Sequence, residues 1–163
     1  MTDITIKGDV DLSVLLSNIS KLYNIAESDI IDLYSTDKNT KCLLYYTYET
    51  YKEGDFRTMM TIYRTEWNTT TSDIELNDWV AGWHLATMLK TEIIVSPTAD
   101  IQYPNLCFLI KDGIFYLADE LLPPDYNDED KDYGLIINYS TLEPTFFRLP
   151  KEVREHLKDI KIS

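Results

Sequence analysis

Apolar and polar residues alternate along residues 2–7 (TDITIK), which is the period of a half-buried strand. The period then changes. Leu12, Leu15, Leu16, Ile19, Leu22 and Tyr23 recur at spacings of three and four, one stripe along a helix that Asp9 or Asp11 is placed to cap. Residues 29–35 (DIIDLYS) read as a strand, because β-branched and aromatic residues follow. Two long β-like runs come next, 41–51 (KCLLYYTYETY) and 56–67 (FRTMMTIYRTEW), joined by KEGD, where Gly54 can supply a positive φ. A three-residue loop there sets Tyr46 opposite Met60 and Leu44 opposite Ile62, with Phe56 on the same core-facing side. Tyr45, Thr47, Glu49, Arg57, Thr61, Tyr63 and Thr65 then share the other side, half-wet and aromatic. A slip of one residue would mix the two sets, so the pattern itself argues for the loop.

Ser72-x-x-Glu75 has the form of a capping box and predicts the start of a helix over IELNDWVAGWHLATMLK. At 100° per residue, Leu76, Trp79, Val80, Trp83 and Ala86 share one face, while Leu85, Met88 and Leu89 lie on the other. A helix apolar on both sides belongs between layers. Thr91 and Glu92 end it, and IIVS follows as a buried strand. Asp112-Gly113 is the strongest turn signal in the chain and pairs Leu109 with Tyr116 and Phe108 with Leu117 in a hairpin. Residues 119–133, with two prolines and seven acidic residues against one lysine, are predicted to be a loop. GLIINYS and TFFRL suggest further strands, and Pro150 opens a last helix with Leu149, Val153, Leu157 and Ile160 on one side. These elements predict a single α+β domain over residues 1–163. Its mostly antiparallel sheet, a β-meander plus the D-G hairpin, packs on a central buried helix, with amphipathic helices near both ends.

Charge changes the functional picture more than the fold. Twenty-eight acidic against fifteen basic residues give a net −13 and a pI near 4.4. Such a surface repels nucleic acid and anionic membranes, whose binding needs Lys and Arg, and it suits a basic protein partner. No run approaches the roughly 18–20 apolar residues that span a bilayer. The start of the chain lacks a secretory pattern, and Cys42 and Cys107 sit in apolar runs as reduced, buried thiols, so a cytoplasmic protein, monomeric or weakly dimeric, is expected.

Motifs for chemistry are scarce. Asp128, Asp130 and Asp132 alternate like calcium ligands, but Tyr133 stands where the turn glycine belongs and Tyr139 where the bidentate Glu belongs. His84 and His156 are the only histidines; His84, near Asn77, reads as a hydrogen-bonded structural imidazole, and His156 as a surface partner of Glu152. No G-x-S-x-G elbow, C-x-x-C or H-E-x-x-H spacing and no phosphate-cradling glycine loop occurs. The expectation is therefore a protein with no catalytic, cofactor or metal site. Its partner-binding residues would come from the acidic segment (Asp119, Glu120, Asp125, Tyr126, Asp128, Glu129, Asp130, Asp132) and from the tyrosine face (Tyr45, Glu49, Tyr63). Tyrosine offers wide contact area at low entropic cost.

The W-x-x-x-W-H-L-A-x-x-L pattern from Trp79 to Leu89, the strand at 93–96 and LCFLIKDGIFYLADE together resemble, in texture, small acidic immunity proteins of bacterial polymorphic and contact-dependent toxin systems. The resemblance spans residues 75–120. It implies a cytosolic protein that neutralises one cognate toxin, often a basic nuclease, by masking its active site. Two other readings stand beside it: a nucleic-acid mimic that inhibits a DNA-binding enzyme, and a small enzyme using carboxylates with His84.

Overall fold

The strand predicted from the first alternation, β1 (Thr2–Lys7), lies in the middle of the sheet. The computed structural model describes residues 1–35, 41–96, 106–122 and 132–162. On one side β1 pairs with β4 (Phe56–Arg64), which pairs with β3 (Leu44–Thr50), and the edge is β2 (Ile30–Asp32). On the other side follow β5 (Ile93–Val95), β6 (Leu106–Lys111), β7 (Ile114–Leu121) and β8 (Ile136–Ile137), with β9 (Glu143–Pro144) also paired to β7. Among these pairings only β2 with β3 is parallel. The expected α+β class with a mostly antiparallel sheet is what the chain forms.

Three α-helices among the described residues cover one face. In α1 (Leu12–Tyr23) the cap is Asp11, whose carboxylate accepts from the Ser13 N–H at 2.8 Å, and Asn24 closes the helix in the left-handed region at φ 52°. Its buried Leu15, Ile19 and Tyr23 enter one core with Leu44, Tyr46, Met60 and Ile62. The central helix α2 (Asp78–Leu89) lies on β5, β1 and β6, with α1 and α3 (Lys151–Ile162) against it, which is the sandwiched position its two apolar sides require. Gly82 makes the close approach workable: a Cβ there would stand 2.7 Å from Val95 Cγ1. Met88 escapes the pattern and is exposed.

Four expectations need correction. The capping box forms, with Glu75 accepting from the Ser72 N–H at 2.7 Å, but it closes a separate turn. The helix itself begins at Asp78 and is capped by Asn77, which accepts from the Trp79 N–H. The β3–β4 register is shifted by two residues, so Tyr46 faces Ile62 and Leu44 faces Arg64. An even shift keeps every other side chain on its expected face. Phe56 does not keep it. Between Ile6 and Lys7 the ladder is bulged, Thr58 pairing with Ile6 and Phe56 with Lys7, and the extra residue turns Phe56 to the back of the sheet. Finally, the strand expected at TFFRL is a 3₁₀ turn (Phe146–Arg148), and GLIINYS yields only the two residues of β8 before a second 3₁₀ turn (Tyr139–Thr141).

The back of the sheet has its own, smaller core of Phe56, Ile94, Cys107, Leu109, Ala118 and Ile137. Residues 132–145 cross it. Leu135 exchanges backbone bonds with Phe56 on β4 at 3.0 and 3.1 Å, and two residues later Ile137 pairs with Glu120 on β7. Strands four places apart in the sheet are therefore bridged by one short segment, which requires the sheet to curl around it. Gly134 permits this crossing, since a Cβ on it would lie 2.1 Å from the Phe56 carbonyl oxygen.

Candidate functional site

Alternation along β3 sends Leu44 and Tyr46 into the helix-side core and Tyr45, Thr47 and Glu49 to the opposite face. Tyr45 lies directly across from Tyr63, and Thr47 across from Thr61. Both tyrosines are half-buried, and Glu49 is exposed. The three residues expected on the tyrosine face thus share one surface. The Tyr51 hydroxyl extends it, lying 3.3 Å from the Glu49 carboxylate.

The acidic segment is less uniform than a solvated loop. Asp119 and Glu120 belong to β7, not to the loop expected from residue 119 onward. Asp119 accepts from the Thr141 hydroxyl at 2.7 Å, and Glu120 is part-buried, which raises its carboxyl above the usual range. Asp132 stands at the far end. Its carboxylate pairs with Lys52 at 2.6 Å, and its carbonyl accepts from the Lys52 and Glu53 N–H groups in the β3–β4 turn. The acidic segment therefore leaves the sheet at β7 and returns beside the hairpin that carries Glu49. Asp125, Tyr126, Asp128, Glu129 and Asp130 lie outside the described residues.

One polar cluster had no signal in the sequence. Lys7 ends β1, Glu92 precedes β5 and Lys111 ends β6, so neighbouring strands bring them together. Glu92 pairs with Lys7 at 3.1 Å and with Lys111 at 3.4 Å, and it accepts from the Tyr139 hydroxyl at 2.5 Å. Both ammonium groups also approach the Tyr139 ring, at 4.8 and 5.2 Å from its centroid. Burial alone would raise the Glu92 carboxyl; the Tyr139 and Lys7 hydrogen bonds and the two lysine charges hold it below its usual value. The Tyr139 phenol is pushed up to about 12, first by burial and then by its bond to Glu92. Only the strand order, which no local pattern reveals, could have exposed this cluster.

His84 is not held through Asn77. Its ring meets Trp83 edge-on, with centroids 5.2 Å apart, and burial followed by the nearby charge of His156 lowers its pKa. Among the described residues no group of three or more His, Cys, Asp or Glu is arranged to hold a metal ion. No helix among them is long and apolar enough to cross a membrane. No family model, curated protein or solved structure matches the chain.

Proposed function

We propose that the chain is a non-catalytic binding module that engages a basic protein partner through its tyrosine face and acidic rim, and that this partner is a cognate toxin it neutralises. The observation carrying this reading is the cross-strand pair Tyr45 and Tyr63, with exposed Glu49 on the same side, on the sheet face turned away from the helices. Half-buried phenol rings provide anchors that lose little entropy on binding. A net charge of −13 steers a cationic protein toward them and rejects nucleic acid. Asp132, held beside the same hairpin by Lys52, begins the acidic rim.

Co-expression with the products of neighbouring genes, followed by pull-down and a growth-protection assay, tests this. A cognate complex should form that weakens at about 0.5 M salt, and Tyr45→Ala with Tyr63→Ala should lose at least about tenfold in affinity. Failure to bind or protect against any neighbouring product would overturn the reading. So would a complex indifferent to both substitutions.

A further inference from the structure

A cleft of about 560 Å³ lies between the last turn of α2 and the tip of the β6–β7 hairpin. That is within the usual range of small-molecule sites, about 300–1,000 Å³. The half-buried Trp83 ring and Ala86 give it an apolar wall, and Lys7, Lys90, Glu92 and Asp112 contribute charged groups. The wall is set in place, because the Trp83 indole donates to the Gly113 carbonyl at 3.2 Å and so clips α2 to the hairpin. Lys90 is the unusual member. It closes α2 in the left-handed region at φ 52°, a position where glycine is the ordinary residue. The other non-glycine residues with positive φ, among those described, are Asn24 and Asp112, and Asn and Asp tolerate that region best. Backbone strain of the Lys90 kind clusters at ligand sites.

Charge decides what the cleft can take. Glu92 is occupied by Lys7 at 3.1 Å, by Lys111 at 3.4 Å and by the Tyr139 hydroxyl. Lys7 keeps a third N–H after its bonds to Glu92 and to the Tyr139 hydroxyl, and its side chain is 39% exposed. Lys90 is exposed and has no ion pair among the described residues. The ammonium groups of Lys7, Lys90 and Lys111 thus meet two carboxylates, Glu92 and Asp112, which leaves one positive charge. The negative end of α2 offsets about half a charge of this excess. The chain's net −13 acts mostly through solvent and is screened beyond about 8 Å at physiological salt. A cation would meet the excess as a like charge, a dianion would exceed it, and a neutral molecule would leave it unmatched.

We propose that this cleft binds a small organic monocarboxylate with a flat apolar ring, its carboxylate taken by the Lys90 and Lys7 ammonium groups and its ring by Trp83. The site uses none of the residues assigned to the basic partner. Its success or failure is therefore independent of the function proposed above.

The test is a titration of ¹⁵N-labelled protein at about 0.15 M salt, following the Trp83 indole N–H signal, assigned with Trp83→Phe. Benzoate is the probe, benzamide the uncharged comparison and acetate the ringless one. Benzoate should move the Trp83 signal saturably. It should bind at least about tenfold more tightly than benzamide, which lacks the charge, and than acetate, which lacks the ring. Lys90→Gly and Lys90→Gln should each weaken benzoate at least about tenfold. The first relieves the left-handed strain and the second keeps the length of the side chain, so both should stay folded with urea midpoints near that of the parent. The proposal is overturned if benzoate does not move Trp83 saturably, or if benzamide or acetate binds as well. It is equally overturned if either Lys90 variant binds benzoate as the parent does.

Discussion

The Tyr139 hydroxyl donates to the Glu92 carboxylate at 2.5 Å, across 47 positions of sequence, and so fastens the segment crossing the back face to the middle of the sheet. Hydrogen bonds to charged groups contribute about 1.5–3 kcal/mol. Tyr139→Phe removes this bond and keeps the ring that both lysines approach. It should lower stability by about 2 kcal/mol, with the urea midpoint falling at an unchanged slope.

The same cluster fixes the sign of two pH effects. Glu92 has a folded pKa below its unfolded value near 4.5, so its contribution is complete above that value and is lost as pH falls through the folded pKa. Tyr139 is shifted the other way, from 10.0 to about 12, so its contribution is complete below pH 10 and is lost as pH rises toward 12. Chemical denaturation across both windows should show two losses of stability. Tyr139→Phe should shrink the alkaline one, to which buried Tyr23 and Cys107, whose ionisation is also pushed up by burial, still contribute, and should blunt the acid one.

Gly134→Ala would drive a methyl group to 2.1 Å from the Phe56 carbonyl oxygen, a backbone atom that cannot swing aside. The Leu135–Phe56 exchange must then open, uncovering Phe56 and Ile137. The expected cost is about 3 kcal/mol or more, at the upper end for overpacking. Hydrogen exchange should show the loss of protection concentrated at Leu135 and Phe56.

At Gly82 two effects oppose each other. Alanine favours a helix over glycine by about 1 kcal/mol. Its Cβ would nevertheless lie 2.7 Å from Val95 Cγ1 and 3.0 Å from Ile110 Cδ1, and overpacking costs about 1–3 kcal/mol. Gly82→Ala should therefore destabilise on balance. Paired with Val95→Ala it should cost less than the sum of the two changes, a coupling that a double-mutant cycle in urea would measure.

His84 supplies a third pH dependence. Burial and the His156 charge lower its pKa, against the pull of Glu75, so the folded state takes up its proton later than the unfolded chain. Stability is full above the unfolded value near 6.5 and falls as pH drops through the folded one. His84→Gln should flatten the stability profile between about pH 7 and 5.

Local pattern was a good guide wherever the determinant lay within a few residues. The α1 stripe and the Asp112-Gly113 hairpin with its Leu109–Tyr116 pairing formed as expected, and of the two candidate caps, Asp9 and Asp11, it is Asp11 that caps α1. The β3 and β4 faces survived a register shift because their period is two. Pattern failed where a distant segment decided the outcome. Phe56 reads as a helix-side residue until the bulge against Lys7 turns it over. TFFRL looks like a strand, yet it folds as a 3₁₀ turn beside β7, where the Thr145 N–H bonds the Phe115 carbonyl. The tyrosine face could be anticipated from alternation alone. The Glu92 cluster could not, because it depends on which strands become neighbours.

The central position of β1 bears on how the chain is born. Its partners β4 and β5 begin at Phe56 and Ile93, so during synthesis β1 has no partner until β4 is made and keeps its other edge open until β5 follows. Two open ladder edges of Ile4 and Ile6 must wait through that interval. Only α1, which follows at once and buries Leu15 and Ile19 in the same core, can shelter them early. So non-local a sheet should assemble slowly for its size. Its exposure to wrong pairings during synthesis follows from where β1 sits, whatever the finished protein binds.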